Sequence, residues 1–205
     1  AAPKAPPPGC SLIAQRVPGG HVLAQNMDLP AHMEGSQVAL RLGGQDMPET
    51  VMLSAAGMIG LTGVNSAGLA IGVNTLLMLE HAADGLPVAF AVRHALGARN
   101  RATAQRRLAE VGHASGQHYA IATRDGITSL ECSARTCSAL PIPDNGRLLH
   151  TNHPLISSDI DPTALARLGA TGFTKSSANR LSWLKTRQDG LTTAEKVRTL
   201  FNDAD

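Results

Sequence analysis

The sequence predicts an α+β layered fold built on a mainly antiparallel sheet. Three observations carry that reading: pairs of short apolar runs around tight turns, a helical block between the second and third pairs, and a second helical block near the end. With 205 residues and 43% hydrophobic content, the chain is long enough to bury a full core as one globular unit.

Taken in order, residues 11–17 and 21–26 are apolar-rich runs joined by Pro18-Gly19-Gly20, which predicts a β-hairpin. A second hairpin is expected over 57–64 and 69–76 around Asn65-Ser66-Ala67-Gly68, where Asn65 belongs to the turn and Gly68 to its left-handed position. A third spans 118–123 and 127–132 around Arg124-Asp125-Gly126, and short strands at 138–142 and 147–150 flank Asp144-Asn145-Gly146. Residues 87–96 and 103–111 carry apolar side chains at helical spacing, with Pro87 suited to a first turn. A further amphipathic helix is expected over 176–187, and Thr192-Thr193-Ala194-Glu195 reads as a capping box opening a last one.

Composition excludes several functions. The formal charge is +2, the 18 Lys and Arg are scattered, and only 3 Phe, 1 Trp and 1 Tyr are present, so base stacking and phosphate tracking on nucleic acid are not expected. Residues 51–79 carry no charge, which on hydropathy alone marks a membrane span. Ser54, Thr62, Asn65, Ser66, Asn74 and Thr75 and the interspersed glycines suit turns and buried strands instead, so no membrane span is expected. No charged-then-apolar signal peptide opens the chain, and the Ala/Pro-rich residues 1–8 read as a linker or the tail of something cut away. Cys132 and Cys137 are close enough for a disulfide or equally for two reduced thiols, which leaves cytoplasm and periplasm both open.

Centring the first hairpin on Gly19 places Cys10 opposite Asp28, a thiol at a strand start with a carboxylate across from it. The same residues are also compatible with a small apolar filler and a turn carboxylate before Pro30.

Gly9-Cys10-Ser11, LAQNMDL ending at Asp28, AGMIGLTGVNSAGLAIGVNTL over 56–76, GLPVAFAVRHAL, SLECSA and HTNHPL from His150 together resemble the acyl-coenzyme A:6-aminopenicillanic acid acyltransferase family of N-terminal-nucleophile (Ntn) hydrolases. Choloylglycine hydrolases and acid ceramidases are more distant relatives. The resemblance implies a four-layer αββα sandwich, synthesis as an inactive precursor, and self-cleavage between Gly9 and Cys10. Residues 1–9 are then the tail of a pro-segment or α subunit that stays as a partner, and 10–205 the nucleophile-bearing catalytic domain. The family also has a segment on the order of one hundred residues before the nucleophile, within ordinary domain size, and further strands beyond the position of Asp205.

The chemistry asks for these residue types. A free α-amine has a pKa of about 7.7–8.0, so it can take the thiol proton of its own residue near neutral pH. Acyl transfer to sulfur gives a thioester, resolved by water in a hydrolase or by an amine or thiol in a transferase. By the resemblance, Asp28 accepts a hydrogen bond from that amine, Asn152 donates to the oxyanion, and Asn74 holds the position that does so in choloylglycine hydrolases. Asn74 reads equally as a strand-end residue satisfying backbone groups. The expected partner is a small-molecule amide or acyl compound, with no cofactor.

Cys132, Cys137, His150 and His153 form C-x4-C followed by H-x2-H, a candidate structural zinc set whose histidine gap is shorter than the usual three to five. A catalytically silent scaffold or an unprocessed precursor is a further alternative. Ser182-Trp183-Leu184-Lys185 matches S-x-x-K but lacks an S-D-N or K-T-G partner. Arg93, on an otherwise apolar helix face, reads either as binding a substrate carboxylate or as a buried ion pair with Glu131, and residues 76–86 as either an apolar wall over an acyl pocket or a surface loop.

Overall fold

The computed structural model describes residues 9–202; the Ala/Pro-rich start over 1–8 lies outside the described residues. Strands β1 (Cys10–Val17) and β2 (Gly20–Met27) form the first hairpin, and β10 (Arg147–His150) joins the other edge of β1 to complete a three-stranded antiparallel sheet. The second sheet has seven antiparallel strands in chain order: β3 (Gln37–Gly44), β4 (Met47–Ala55), β5 (Thr62–Asn65), β6 (Ala70–Thr75), β7 (Gln117–Thr123), β8 (Gly126–Cys132) and β9 (Cys137–Leu140). The helices are α1 (Val88–Leu96), α2 (Arg101–Ala109), α3 (Pro162–Ala170), α4 (Phe173–Arg187) and α5 (Ala194–Asn202). Helices α1 and α2 cover the outer face of the large sheet, while α4 and α5 pack on the small one. The result is the four-layer αββα sandwich.

Strand alternation explains the layering. On the inner faces, Leu12 and Ala14 of β1 and Leu148 of β10 meet Ala120 and Ala122 of β7 and Ile127 of β8. On the other side of the large sheet, Ile71, Val73, Tyr119, Ile121 and Leu130 pack against Val92, Leu96 and Leu108 of the helices. Each of these aliphatic side chains contributes about 1.5–3 kcal/mol on full burial. The sheets approach closely at Gly72 of β6, where a Cβ would come 2.7 Å from Leu12 Cδ1.

Several expectations shift. The first hairpin turns in two residues, Pro18-Gly19, with Gly19 at φ 88°, so Cys10 faces Met27 and Asp28 falls one position further along. The β3–β4 hairpin was not expected, because the buried positions of β4 include Pro48, Thr50 and Ser54, which hide the alternation. Helix α3 was also missed, although Asp161 caps it by accepting from Thr163 N at 2.8 Å and Pro162 follows. Strands β9 and β10, which flank one turn in sequence, belong to different sheets. The last helix is capped one residue later than the box suggested: Thr193 Oγ1 accepts from Lys196 N at 3.2 Å. The uncharged run 51–79 is divided among three strands and their turns, and no helix among the described residues is long and apolar enough to cross a membrane.

Asn65 is structural: its Nδ2 donates to the carbonyls of Leu96 and Ala98 at 2.7 Å each, and its Oδ1 accepts from Ala67 N and Leu69 N. Cys132 and Cys137, opposite each other on β8 and β9, form a disulfide. In the 76–86 connection, Leu76, Met78 and Leu79 are buried and Leu79 bridges to Ile160, so its apolar side chains face inward rather than walling a pocket.

Candidate active site

Cys10 opens β1, the central strand of the small sheet, and its side chain shares the inward face with Leu12 and Ala14. Only 7% of the residue is exposed. Its backbone N–H donates to Asn152 Oδ1 at 2.5 Å, from just past the end of β10. Gly9 is anchored on both sides of Asp28: Gly9 N–H donates to the carboxylate at 3.2 Å, and Asp28 N–H to the Gly9 carbonyl at 2.9 Å. A Cβ at Gly9 would collide with the Arg180 guanidinium and stand 2.7 Å from Asn152 Oδ1, so this position takes glycine because it is crowded.

Arg180 and Gln25 were not singled out from sequence. Arg180 of α4 donates through Nη1 to the Cys10 carbonyl and to Ser11 Oγ at 3.2 Å, and through Nη2 to Asn152 Oδ1 at 3.0 Å. Its signal was an arginine bordering the buried stripe Phe173, Ser177, Leu181 and Leu184. Gln25 sits inside LAQNMDL, opposite Leu12 on the inward face, where a polar residue breaks an apolar slot. It donates to the Val73 carbonyl of β6 and accepts from Val73 N at 3.2 Å, locking the two sheets together beside the thiol.

Burial pushes the Cys10 thiol above its ordinary pKa. Hydrogen bonding from Asn152, the charge of Arg180 and hydrogen bonding from Gln25 pull it partly back, while Asp28 adds to the rise. Burial lowers Arg180, with attraction to Cys10 and Asp28 opposing. The thiol therefore stays protonated near neutrality until a base accepts its proton.

Asn152 is held from three directions. Its Nδ2 donates to the Thr75 carbonyl at 3.0 Å, and its backbone N–H to Ser177 Oγ at 2.7 Å. One amide N–H remains for another acceptor. Asn74, two residues from Gly72 on the inward face of β6, is completely buried, and its Nδ2 has no partner among the described residues. The structure thus gathers Gly9, Cys10, Asp28 and Asn152 in direct contact, with Asn74 beside Thr75 at the end of β6.

The zinc set is not assembled. Cys132 faces the helix side of β8, its sulfur in the disulfide, whereas His150 lies on the inter-sheet side and bonds Glu131. His113 brings a ring nitrogen within 4.8 Å of both sulfurs, yet its nitrogens already meet the Leu108 carbonyl and Tyr119 OH. Arg93 is exposed on α1, and Glu131 pairs with His150 in its place.

The four-layer αββα sandwich is the fold of the N-terminal-nucleophile hydrolases. A solved Caenorhabditis elegans N-acylethanolamine-hydrolyzing acid amidase ortholog shares the fold, with TM-score 0.55, 17% identity and 88% of each chain covered. Penicillin V acylase from Agrobacterium tumefaciens matches at TM-score 0.36 and 15% identity over 71% of this chain and 41% of that one. The sequence model of the acyl-coenzyme A:6-aminopenicillanic acid acyl-transferase family matches residues 16–205, and the chain belongs to that family. The 40 kDa form of acyl-coenzyme A:6-aminopenicillanic-acid-acyltransferase from Emericella nidulans is 29% identical over 150 residues, 73% of this chain. The matched stretch spans 42% of that relative's length.

Proposed function

We propose that this chain carries the nucleophile of a cysteine Ntn amidohydrolase or acyltransferase, activated by cleavage between Gly9 and Cys10. The observation that supports it most is the clamp around that one peptide: the Gly9 N–H on Asp28, the Cys10 N–H on Asn152, and Arg180 on the Cys10 carbonyl. In cleavage, the thiol adds to the Gly9 carbonyl, its proton passes to the departing Cys10 nitrogen, and the resulting thioester is hydrolysed to a Gly9 carboxylate. The freed α-amine occupies the position of the present N–H, close to the Asp28 carboxylate that Gly9 now engages, and serves as the base the buried thiol lacks.

In turnover the amine accepts the thiol proton and sulfur adds to the substrate carbonyl. The oxyanion takes the remaining N–H of Asn152 and the unpaired Nδ2 of Asn74, donors that add no charge of their own. Collapse returns the proton to the leaving amine and leaves a thioester on Cys10, which water or a second nucleophile resolves. The segment ending at Gly9 remains as a partner of the catalytic part. A cleft of about 350 Å³ beside Gln25 and Asp28, walled by Met27, Leu53 and Leu61, supports a small amide with an apolar acyl group as substrate.

Mass spectrometry after exposure to a chromogenic amide tests the reading. The active protein should yield a piece beginning at Cys10 that gains the acyl mass, and Cys10→Ala should remain uncut and unacylated while still folded. A fully active preparation in which every molecule keeps the Gly9–Cys10 peptide would overturn it.

A further inference from the structure

Next to Cys10, five polar side chains, Asn74, His118, Ser129, Glu131 and His150, are shut between the two sheets. His118 of β7 and His150 of β10 stack with ring centroids 3.6 Å apart and planes 3° from parallel. His150 Nε2 lies 2.8 Å from Glu131 Oε1, and its Nδ1 lies 2.7 Å from the Thr151 carbonyl. An ionised carboxylate and a carbonyl only accept, so both nitrogens of His150 donate and the ring pairs as a cation with Glu131. The carboxylate also accepts from Leu155 N, Ile156 N and Ser157 N at 2.6, 3.0 and 2.7 Å.

The stacked neighbour must then be neutral, because a second imidazolium face to face at this distance, with no water between, is strongly repelled. Burial, then the His150 charge, act on His118 in that direction. A neutral imidazole donates from one nitrogen and accepts at the other. His118 Nδ1 is 2.8 Å from Asn74 Oδ1, and Nε2 is 2.9 Å from Ser129 Oγ. A hydroxyl fills either role, but an amide oxygen only accepts. The proton therefore sits on Nδ1, and Ser129 donates to Nε2. That bond turns the Asn74 oxygen toward His118 and leaves Nδ2, fully buried, without a partner among the described residues. On the same face of β6, Gly72 meets Leu12 and Gln25, and the adjacent Thr75 carbonyl holds Asn152. The unpaired amide thus lies at the end of β6 that borders Cys10.

We propose that His118 is a positioning residue, whose Nδ1–H fixes the side-chain amide of Asn74 so that its NH2, and not its oxygen, faces the acyl carbonyl held at Cys10. The inference rests on the Cys10 reading above. Its physical content is a sign: a flipped amide would present a second oxygen to the oxyanion and oppose the charge that the correct orientation stabilises. His150 and Glu131 act one step further out, by keeping His118 neutral.

The first measurement needs no substrate. Nitrogen-15 NMR of the folded protein should show His118 as the neutral Nδ1–H tautomer; the Nε2–H tautomer would overturn the orientation while leaving the cysteine reading intact. The second is a kinetic cycle. Asn74→Ala should lower kcat by about 10²–10³, the usual loss of one oxyanion donor. His118→Leu should lower kcat at least tenfold with KM little changed. His118→Gln, which keeps a donor for Asn74 and an acceptor for Ser129, should recover most of that loss. In an Asn74→Ala background, His118→Leu should cause no further loss, because the group it positions is gone. Equal losses from Leu and Gln, or the same loss with and without Asn74, would make His118 merely structural and sink the proposal. Activity that survives Cys10→Ala would instead sink the underlying reading.

Discussion

Replacing Glu131 by Gln tests the buried pair on which the site's far wall is built. Glu131 has no exposed side-chain area and accepts four N–H groups: His150 Nε2 and the backbone of Leu155, Ile156 and Ser157. A glutamine oxygen replaces one carboxylate oxygen, but its NH2 then points at donors and leaves two of them unpaired. Each orphaned buried donor costs about 1–3 kcal/mol, and breaking a buried ion pair from one side typically costs about 3–5 kcal/mol. At about 2–4 °C per kcal/mol for a domain of this size, the melting temperature should fall by about 6–20 °C at neutral pH. Burial alone would raise the Glu131 carboxyl, but His150 and the three backbone donors outweigh it, and the folded value lies below the ordinary one. The group's stabilisation is therefore present above the unfolded carboxylate value and is lost as pH falls through the folded value. Parent and Glu131→Gln melting curves, recorded by circular dichroism from neutral to acid pH, should converge on the acid side. A variant melting within about 2 °C of the parent at neutral pH, or a gap unchanged in acid, would refute the accounting.

Asn152→Ala should reduce turnover by about 10²–10³ with much less effect on KM, measured by steady-state kinetics on the amide that acylates Cys10; a loss confined to KM would assign Asn152 to substrate binding. Arg180→Gln removes a cation that holds the thiol down, so the pH profile of Cys10 alkylation by iodoacetamide should move upward, and a profile unmoved or moved down would contradict the charge argument. Gly9→Ala puts a methyl into Arg180 and Asn152, so the uncut precursor should accumulate on a gel while the melting temperature changes little; undiminished cleavage would show that the crowding is relieved without consequence.

The parts of the fold legible in the sequence are those where period and punctuation agree. Strands β1, β2, β7 and β8 are apolar runs meeting at glycine turns, and Pro18-Gly19 and Asp125-Gly126 mark their reversals. Strand β4 was illegible because its buried face is half polar: Thr50 and Ser54 are satisfied locally, by the Pro48 and Met58 carbonyls among others. Cys10 and Asp28 read from sequence as facing each other, but the two-residue turn shifts the register by one, so Cys10 pairs with Met27 and it is Gly9 that bonds Asp28. Arg180 was not, because an arginine at the edge of a helix stripe looks in sequence like a solvated charge snorkelling from the core. Arg93, on an otherwise apolar helix run, suggested a buried pair with Glu131, whereas strand pairing places His118 opposite Glu131 and His150 of the other sheet bonds its carboxylate.

These placements share a consequence for when the proposed chemistry can begin. Asn152 bonds Cys10 across 142 residues of chain and Arg180 does so across 170, while Gln25 and Val73 hold the two sheets in contact between them. None of these contacts is local, so an unfolded chain has Cys10 as an ordinary exposed thiol beside an unclamped peptide. Closing such long loops is entropically unfavourable until the inter-sheet layer of Leu12, Ala14, Leu148, Ala120, Ala122 and Ile127 packs. The same packing that desolvates the thiol, and so raises its pKa, brings in Asn152, Arg180 and Gln25, which lower it again. Attack on Gly9 then depends on the completed sandwich: the residues that offset the desolvation arrive only with the burial that creates it, which ties activation of the nucleophile to completion of the fold.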